Sequence, residues 1–421
     1  METKSEYMMT EIGEIPANWE VCALGTYIKV QGGYAFKSNQ FSDNGIRILR
    51  ISNIKESGLS LNECKYYSDN DAKGLDNYYL NENDTVIAMS GATTGKSSLV
   101  KKDDLPLLVN QRVGTYKRKN ERNTDQKFIY YTVSSNYYQQ KLWEHAIGGA
   151  QPNISSTQLE SIIVAYPPLN EQQKIAEILS TVDDQIEQTD QLIEKTKELK
   201  KGLMQQLLTK GVKHTAFKKT KIGEIPAEWR SVKFKEVCSI VNGLVDPREK
   251  PYSDYPHIGN ANIEKKSGKL LNYKIAKEEN LISGKYLFNE RHVLYGKINP
   301  QFAKVTYPKF VGLCSADMYP IECDLEQIVP DFLLYAILDT RFTDTMIKLS
   351  TRTGMPKVNR FEVEQYVFAL PKVNEQKKIA KILSSVDEDI EGYEQEKSKY
   401  EELKKGLMQQ LLTGKTRVKV D

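Results

Sequence analysis

From Asn170 to Thr209 the apolar positions form a near-heptad stripe. One seam takes Ile175, Val182, Thr189, Thr196 and Leu203, and its companion takes Leu179, Ile186, Ile193, Lys200 and Leu207. The stripe is written again from Asn374 to Thr413, as Ile379, Val386, Tyr393, Tyr400, Leu407 and Leu383, Ile390, Lys397, Lys404, Leu411. The offset is constant (374 − 170 = 204). Such a run predicts a helix of roughly 60 Å, longer than an ordinary globular helix. Two matched stripes in one chain bury each other most simply as an intramolecular antiparallel pair, although one helix from each of two chains would use the same seam. The seam is strong at both ends and interrupted in the middle by Thr, Tyr and Lys, so Lys200 and Lys404 are expected to weaken it or to expose surface for a partner.

A second echo marks the other end of the repeat. IGEIPANWE (Ile12–Glu20) returns as IGEIPAEWR (Ile222–Arg230), offset by 210 residues (222 − 12 = 210). The repeating unit is therefore half the chain: a short Gly-Pro-Trp segment, a body of differing sequence, then the long helix. In the first body, Gly45–Ser52, Asp84–Met89 and Ser161–Tyr166 read as strands, and Asp125–Ile147 reads as one helix. In the second, Tyr286–Phe288, His292–Tyr295, Ala303–Tyr307 and Gln365–Leu370 read as strands and Phe332–Leu349 as the counterpart helix. Glycines at 32–33, 91, 95 and 148–149 punctuate the first body. The expected fold is α+β: two mixed α/β globular domains separated by a long antiparallel intramolecular coiled coil, with an internal pseudo-two-fold repeat. Boundaries follow at 1–165, 166–210, a basic linker at 211–221, 222–370 and 371–415. The seam residues are Ile175, Leu179, Val182, Ile186, Ile193, Leu203, Leu207, Ile379, Leu383, Val386, Ile390, Leu407 and Leu411.

No run of 18 apolar residues and no signal peptide is present, which argues against a membrane span or secretion and for a cytoplasmic protein. Cys22, Cys64, Cys238, Cys314 and Cys323 form no metal-like spacing with the histidines and read as buried thiols. The net charge is +3, unevenly spread: residues 211–370 carry 24 basic and 19 acidic side chains, residues 1–170 carry 18 and 19. That balance permits nucleic acid as a partner without demanding it.

Few motifs carry chemistry. Ser90–Ser97 (SGATTGKS) has one residue too few between its glycines for a phosphate-binding loop, and reads as a turn facing a ligand. Asn299-Pro300-Gln301-Phe302 is one substitution from the Asn-Pro-Pro-Phe motif of amino-methyltransferases, but Gln301 breaks it and a turn is the better reading. Tyr166-Pro-Pro-Leu169 serves as a helix start. No carboxylate or histidine cluster rises above chance as a metal or catalytic centre. The basic-aromatic clusters say more, because Lys and Arg can hold phosphates while Arg, Asn and aromatics can meet base edges. The DNA-binding candidates are Tyr34, Lys37, Arg47, Arg50, Asn53, Lys96 and Arg112 in the first body. In the second they are Arg248, Tyr252, His257, Asn260, Arg291, Tyr295, Lys297 and Lys304.

The duplicated ELKKGLMQQLLT (Glu198–Thr209 and Glu402–Thr413), each helix introduced by a Pro-x-x-Asn-Glu-Gln-type segment, resembles the DNA-specificity subunit of type I restriction-modification systems. Gly33–Lys37 with Gly45–Arg50, and Gly243–Pro247 with Tyr255–Gly259, resemble segments of its target recognition domains. The resemblance covers nearly the whole chain. It implies a non-catalytic prokaryotic host-defence protein that binds double-stranded DNA, each body reading one half of a split, asymmetric target. It also implies docking of two modification subunits, which carry S-adenosylmethionine for adenine-N6 DNA methylation, and of two restriction subunits, which use ATP and Mg. No cofactor, metal or membrane is expected for this chain. The competing readings are a structural coiled-coil protein with two ligand-binding modules and a fused restriction-methylation enzyme. The second would need catalytic motifs that the chain lacks.

Overall fold

The computed structural model describes residues 7–55, 58–146, 152–350 and 354–419. The chain forms two compact units, Met1–Asp190 with Gln395–Asp421, and Gln191–Glu394.

The first unit holds an antiparallel sheet ordered Ser97–Leu99, Thr85–Ala88, Val113–Arg118, Ile28–Gly32. Its inner strand Thr85–Ala88 is buried at every position, as a largely apolar run between two covered faces should be. A second, mixed sheet is ordered Leu107–Val109, Ile46–Leu49, Lys65–Tyr67, Phe41–Ser42, its first pair parallel. Helices α1 (Gln126–Ser134), α2 (Asn136–His145) and α3 (Ser156–Ser161) follow. The strand Ile163–Tyr166, paired with Glu20–Ala23, then leads into α4 (Leu169–Lys210).

The second unit repeats this plan in its antiparallel sheet, while its mixed sheet places the parallel pair at the centre rather than at the edge. Its antiparallel sheet runs Val305–Thr306, His292–Gly296, Met318–Cys323, Cys238–Ile240. Its mixed sheet again contains one parallel pair, Pro256–Ile258 with Gly312–Cys314. Helices α5 (Pro330–Leu338), α6 (Thr340–Ser350) and α7 (Arg360–Glu364) precede the strand Val367–Leu370, which pairs with Arg230–Lys233 and leads into α8 (Val373–Leu411).

Three local expectations need correction. The helix expected over Asp125–Ile147 is two, because the Ser135 side chain accepts from Tyr138 N–H and starts a new helix; Ile147 and Gly148–Gly149 lie outside the described residues. Its counterpart over Phe332–Leu349 divides at Asp339, whose carboxylate accepts from Arg341 N–H. The linker expected at 211–221 contains the strand Phe217–Thr220, hairpinned onto Gly223–Pro226, just as Tyr7–Thr10 pairs with Gly13–Pro16.

Within each unit, α4 and α8 run antiparallel. In the first, Asp183 meets Lys404 at 2.6 Å and Asp190 meets Lys397 at 2.7 Å; in the second, Lys200 meets Asp387 at 2.5 Å. The predicted seam is buried at Ile175, Leu179, Val182, Ile193, Leu207, Ile379, Leu383, Val386 and Leu411. It is half-buried at Ile186, Leu203, Ile390 and Leu407. At its ends the stripe does more than join two helices. Ile175, Leu179 and Leu411 share a core with Trp19, Phe128 and Tyr131, and Leu207, Ile379 and Leu383 share one with Trp229, Phe332 and Tyr335.

Candidate nucleic-acid interface and its frame

The Asn-Glu-Gln segment that begins each long helix is a docking device. Glu171 Oε2 accepts from the Trp19 indole at 3.1 Å, and Glu375 Oε2 accepts from the Trp229 indole at 2.9 Å. The glutamine beside it has no exposed surface in either copy. Gln172 donates to Pro167 O (2.8 Å) and Asn123 O (3.1 Å) and accepts from Asp125 N–H (2.9 Å). Gln376 does the same with Pro371 O (2.9 Å), Gln327 O (2.7 Å) and Val329 N–H (2.9 Å). A buried amide satisfied this fully fixes the helix start to the body by directional bonds as well as by packing. A further partner of the glutamate differs between units: the Arg417 guanidinium in the first, the His214 imidazole in the second.

About three turns along, the helix pair and the body meet again. Asp183 accepts from the Tyr131 hydroxyl at 2.8 Å while pairing with Lys404, whose ammonium lies 5.7 Å from that tyrosine ring centre. Asp387, Tyr335 and Lys200 repeat this at 2.8, 2.5 and 5.6 Å. Burial, and then the neighbouring carboxylate, push both phenols far above the ordinary tyrosine range, so they stay donors. Lys200 and Lys404 are therefore not soft points in the seam. Each is held by a carboxylate from the opposite helix and covered by an aromatic ring.

The two motifs set aside as turns in the sequence are one structural element. Between the strands Thr85–Ala88 and Ser97–Leu99 lies a 3-10 turn at Gly91–Thr93; between His292–Gly296 and Val305–Thr306 lies one at Pro300–Phe302. Gly91 N–H donates to Pro152 O and Asn299 N–H to Pro356 O. Ser90 bridges Asn153 and Ile298 bridges Lys357. Ala88 N–H donates to Lys96 O and Gly296 N–H to Lys304 O. Both turns are left-handed at the same two positions, Gly91 and Gly95 (φ 79° and 86°) and Asn299 and Ala303 (φ 53° and 41°). Glycine adopts that backbone freely, whereas an alanine there carries about 1–2 kcal/mol of strain.

Each turn leans on a second 3-10 turn, Ile51–Asn53 or Asn260–Asn262. Asn53 accepts from Arg50 N–H at 3.0 Å and donates to Ser60 O; Asn262 accepts from Gly259 N–H at 2.9 Å and donates to Asn272 O. The two turns are tied through one equivalent carbonyl: Thr93 donates to Ile51 O at 3.1 Å, and the Lys304 ammonium donates to Asn260 O.

The structure sorts the sequence candidates. Lys37, Arg112, Arg248 and Arg291 are exposed, and Tyr34, Arg50, Lys96, Tyr252, Asn260 and Lys304 are half-buried. Tyr34 and Arg112 are each held by their backbones: Gln111 N–H donates to Tyr34 O, and Met89 N–H to Arg112 O. Arg248 lies against Asp246, with Nη2 2.6 Å from Oδ2, and its guanidinium holds that carboxyl down to about 2. Five candidates serve the fold. Tyr295 is 1 % exposed and packs edge-on against Phe342, 5.3 Å between ring centres. Asn53 is the buried turn brace described above. Arg47 is spent on the carbonyls of Asp104 and Leu105. Lys297 is buried, with its ammonium on Ala316 O and over Tyr319, and burial lowers its pKa. His257 is buried with Nδ1 2.8 Å from Glu279; burial lowers its pKa and the carboxylate only partly offsets it. In strands this short, sequence alternation does not say which face is covered. Ser52, Ala92, Asn153, Ala261, Gln301 and Lys357, all exposed on or beside the paired turns, are not among the sequence candidates because none is both basic and aromatic-flanked. Among the described residues, no group of three or more His, Cys, Asp or Glu side chains is placed to hold a metal ion. No helix among them is long and apolar enough to cross a membrane.

Comparison with known proteins agrees with this duplicated plan. The type I restriction modification DNA specificity domain matches twice, over residues 16–198 and 226–402. The type I restriction enzyme MjaVIII specificity subunit of Methanocaldococcus jannaschii is 28% identical, over 96% of this chain and 94% of its own. The putative MjaX specificity subunit of the same organism is 29% identical, over 99% and 98%. The crystal structure of a type I restriction-modification S subunit from M. genitalium shares the fold at TM-score 0.60 and 15% identity, over 94% of this chain and 96% of that one. With both halves matched by one family domain and each carrying the same helix-docking frame, the chain belongs to the type I restriction modification DNA specificity family, as a non-catalytic DNA-specificity subunit.

Proposed function

We propose that this subunit reads a split, asymmetric duplex DNA target, each unit contacting one half-site through the major groove. The observation that carries this reading is the contrast between frame and body. The helix-docking residues Trp19/Trp229, Glu171/Glu375, Gln172/Gln376, Tyr131/Tyr335 and Asp183/Asp387 are identical, while the turns and sheet edges they support differ between units. An identical frame with unlike readers is what an asymmetric target requires of a duplicated chain. The length of α4 and α8 then sets the number of unread base pairs between the halves. Replacing residues 21–165 by the body of a relative with a different target should change one half of the methylated motif. A change in both halves, or in neither, would sink the modular assignment.

The same subunit carries two modification subunits, which supply S-adenosylmethionine and adenine-N6 methylation, and two restriction subunits, which use ATP and Mg, in a prokaryotic cytoplasm. Support for paired docking comes from exposed helix positions that are identical without an internal reason. Leu199 and Leu403 are 55% and 49% exposed, and at Gly202 and Gly406 an added Cβ would meet nothing within 4 Å. A mid-helix glycine costs roughly 1 kcal/mol relative to alanine, so its recurrence favours close approach by an outside partner. Exposed positions nearer the helix middle have drifted, as Gln188/Gly392 and Leu192/Glu396. Gly202→Leu with Gly406→Leu should abolish co-purification with the modification subunit while leaving the melting temperature unchanged. Retained assembly would remove this face from the interface.

A further inference from the structure

We infer that the paired 3-10 turns form the base-reading ridge of each unit, with Ser52, Ala92 and Asn153 reading one half-site and Ala261, Gln301 and Lys357 the other. The inference rests on the DNA-specificity reading above and names the residues that carry it out. In each unit three backbone segments are bound into one ridge: the turn after the inner sheet strand, the turn beside it, and the Pro152–Ile154 or Pro356–Val358 segment. The ties are the same in both: Gly91 to Pro152 and Asn299 to Pro356, Ile154 N–H to Met89 O and Val358 N–H to Lys297 O. Ile51 O is capped by Thr93, and Asn260 O by Lys304.

On this common backbone the bracing Asn53/Asn262 and the flanking Lys96/Lys304 keep their kind. The exposed positions do not. Ser52 stands where the second unit has Ala261, Ala92 where it has the buried Pro300, Thr93 where it has the exposed Gln301, and Asn153 where it has Lys357. A turn whose backbone is kept while its exposed side chains are exchanged for others of different hydrogen-bonding pattern is a reading element. The exchanged chemistries suit base edges: an Asn or Gln amide pairs with adenine N6 and N7, a Lys ammonium with guanine O6 and N7, and an Ala methyl with the thymine methyl.

Two further observations point the same way. Ala303 is held left-handed within the second turn, and backbone strain of this kind gathers at functional sites. Polar atoms on the ridge, Arg50 Nε and Ser90 Oγ in the first unit and Asn260 Oδ1 in the second, are buried without a hydrogen-bond partner among the described residues.

The test uses the full-length subunit in complex with its modification subunit. Two double variants are made, Ser52→Ala with Asn153→Ala, and Gln301→Ala with Lys357→Ala. The methylated motif is read from modified DNA, and discrimination is measured by competition between duplexes altered at single base pairs. Each variant should relax one or two base pairs of a single half-site, lowering discrimination there roughly 10- to 100-fold and leaving the other half intact. An unchanged motif with normal methylation overturns the inference and leaves the DNA-specificity reading standing. Uniformly weaker binding at every sequence also overturns it, since it assigns these residues to the phosphates. If the unaltered complex methylates no split motif, it is the underlying reading that fails.

Discussion

The Lys200 ammonium lies 2.5 Å from Asp387 Oδ1, joining α4 to α8 inside the second unit, and Tyr335 donates to the other oxygen of the same carboxylate at 2.8 Å. The lysine side chain is 10% accessible and the aspartate 34%. Lys200→Met leaves a half-covered carboxylate with one partner fewer. The expected loss is about 1–3 kcal/mol, between an exposed pair and a fully buried one. Lys397→Met removes the more open pair with Asp190, 30% and 49% accessible, and should cost less than ~1 kcal/mol. Denaturant titration of both variants decides the matter; equal losses would deny the first pair its sheltered role.

Gln376→Ala breaks three bonds at a site with no exposure and strands two carbonyls and an amide. The expected destabilisation is about 2–4 kcal/mol, while Gln205→Ala on the exposed helix face should stay within ~0.5 kcal/mol. A Gln376→Ala protein as stable as wild type would mean that packing alone seats the helix.

Tyr295 has its hydroxyl buried with no hydrogen-bond partner among the described residues. Tyr295→Phe should therefore be neutral or slightly stabilising, whereas Tyr295→Ala should cost ~3–5 kcal/mol by opening a cavity beside Phe342. DNA affinity of the folded Phe variant should equal that of wild type. A selective loss of affinity would return the phenol to the DNA interface.

His257 and His292 of the second unit both have pKa values lowered, chiefly by burial. Their neutral forms are favoured in the folded state, so the unfolded chain binds more protons in acid. This contribution to stability is fully present above the unfolded histidine value near 6.5 and is lost as pH falls from there towards the depressed folded values. Scanning calorimetry at pH 7.5 and 5.5 should show a drop in the second unit's transition that His257→Gln diminishes. An identical pH dependence in that variant would exclude His257 as a source.

The frame was legible in the sequence because it is written twice. Identity across a constant offset exposed the helices, the Trp segment and the proline starts without any structural knowledge. The offset even shows where the bodies differ, passing from 210 at Trp19/Trp229 through 209 at Asn53/Asn262 and 208 at Lys96/Lys304 to 204 at Gln172/Gln376. The candidate interface was less legible for a physical reason. Basic and aromatic residues were chosen by type, yet in strands of three to five residues the side chain faces core or solvent according to pairing that only the fold reveals. Tyr295 went inside that way, and Lys297 did so just past the end of the same strand. The likeness of SGATTGKS to INPQFAK was invisible because only backbone hydrogen bonds and handedness are shared, and the lone common side chain is Lys96/Lys304.

Leu411 packs in the same core as Trp19, and Arg417 closes on Glu171 at 2.5 Å. The first-made unit is thus finished by residues near the far end of the chain. During synthesis its body emerges some two hundred residues before the helix segment that seals it, so its apolar floor waits for a late arrival. A nascent chain stopped short of α8 leaves the N-terminal body open, and proteolysis of ribosome-bound chains should show that unit gaining protection only after residue 411 has been released.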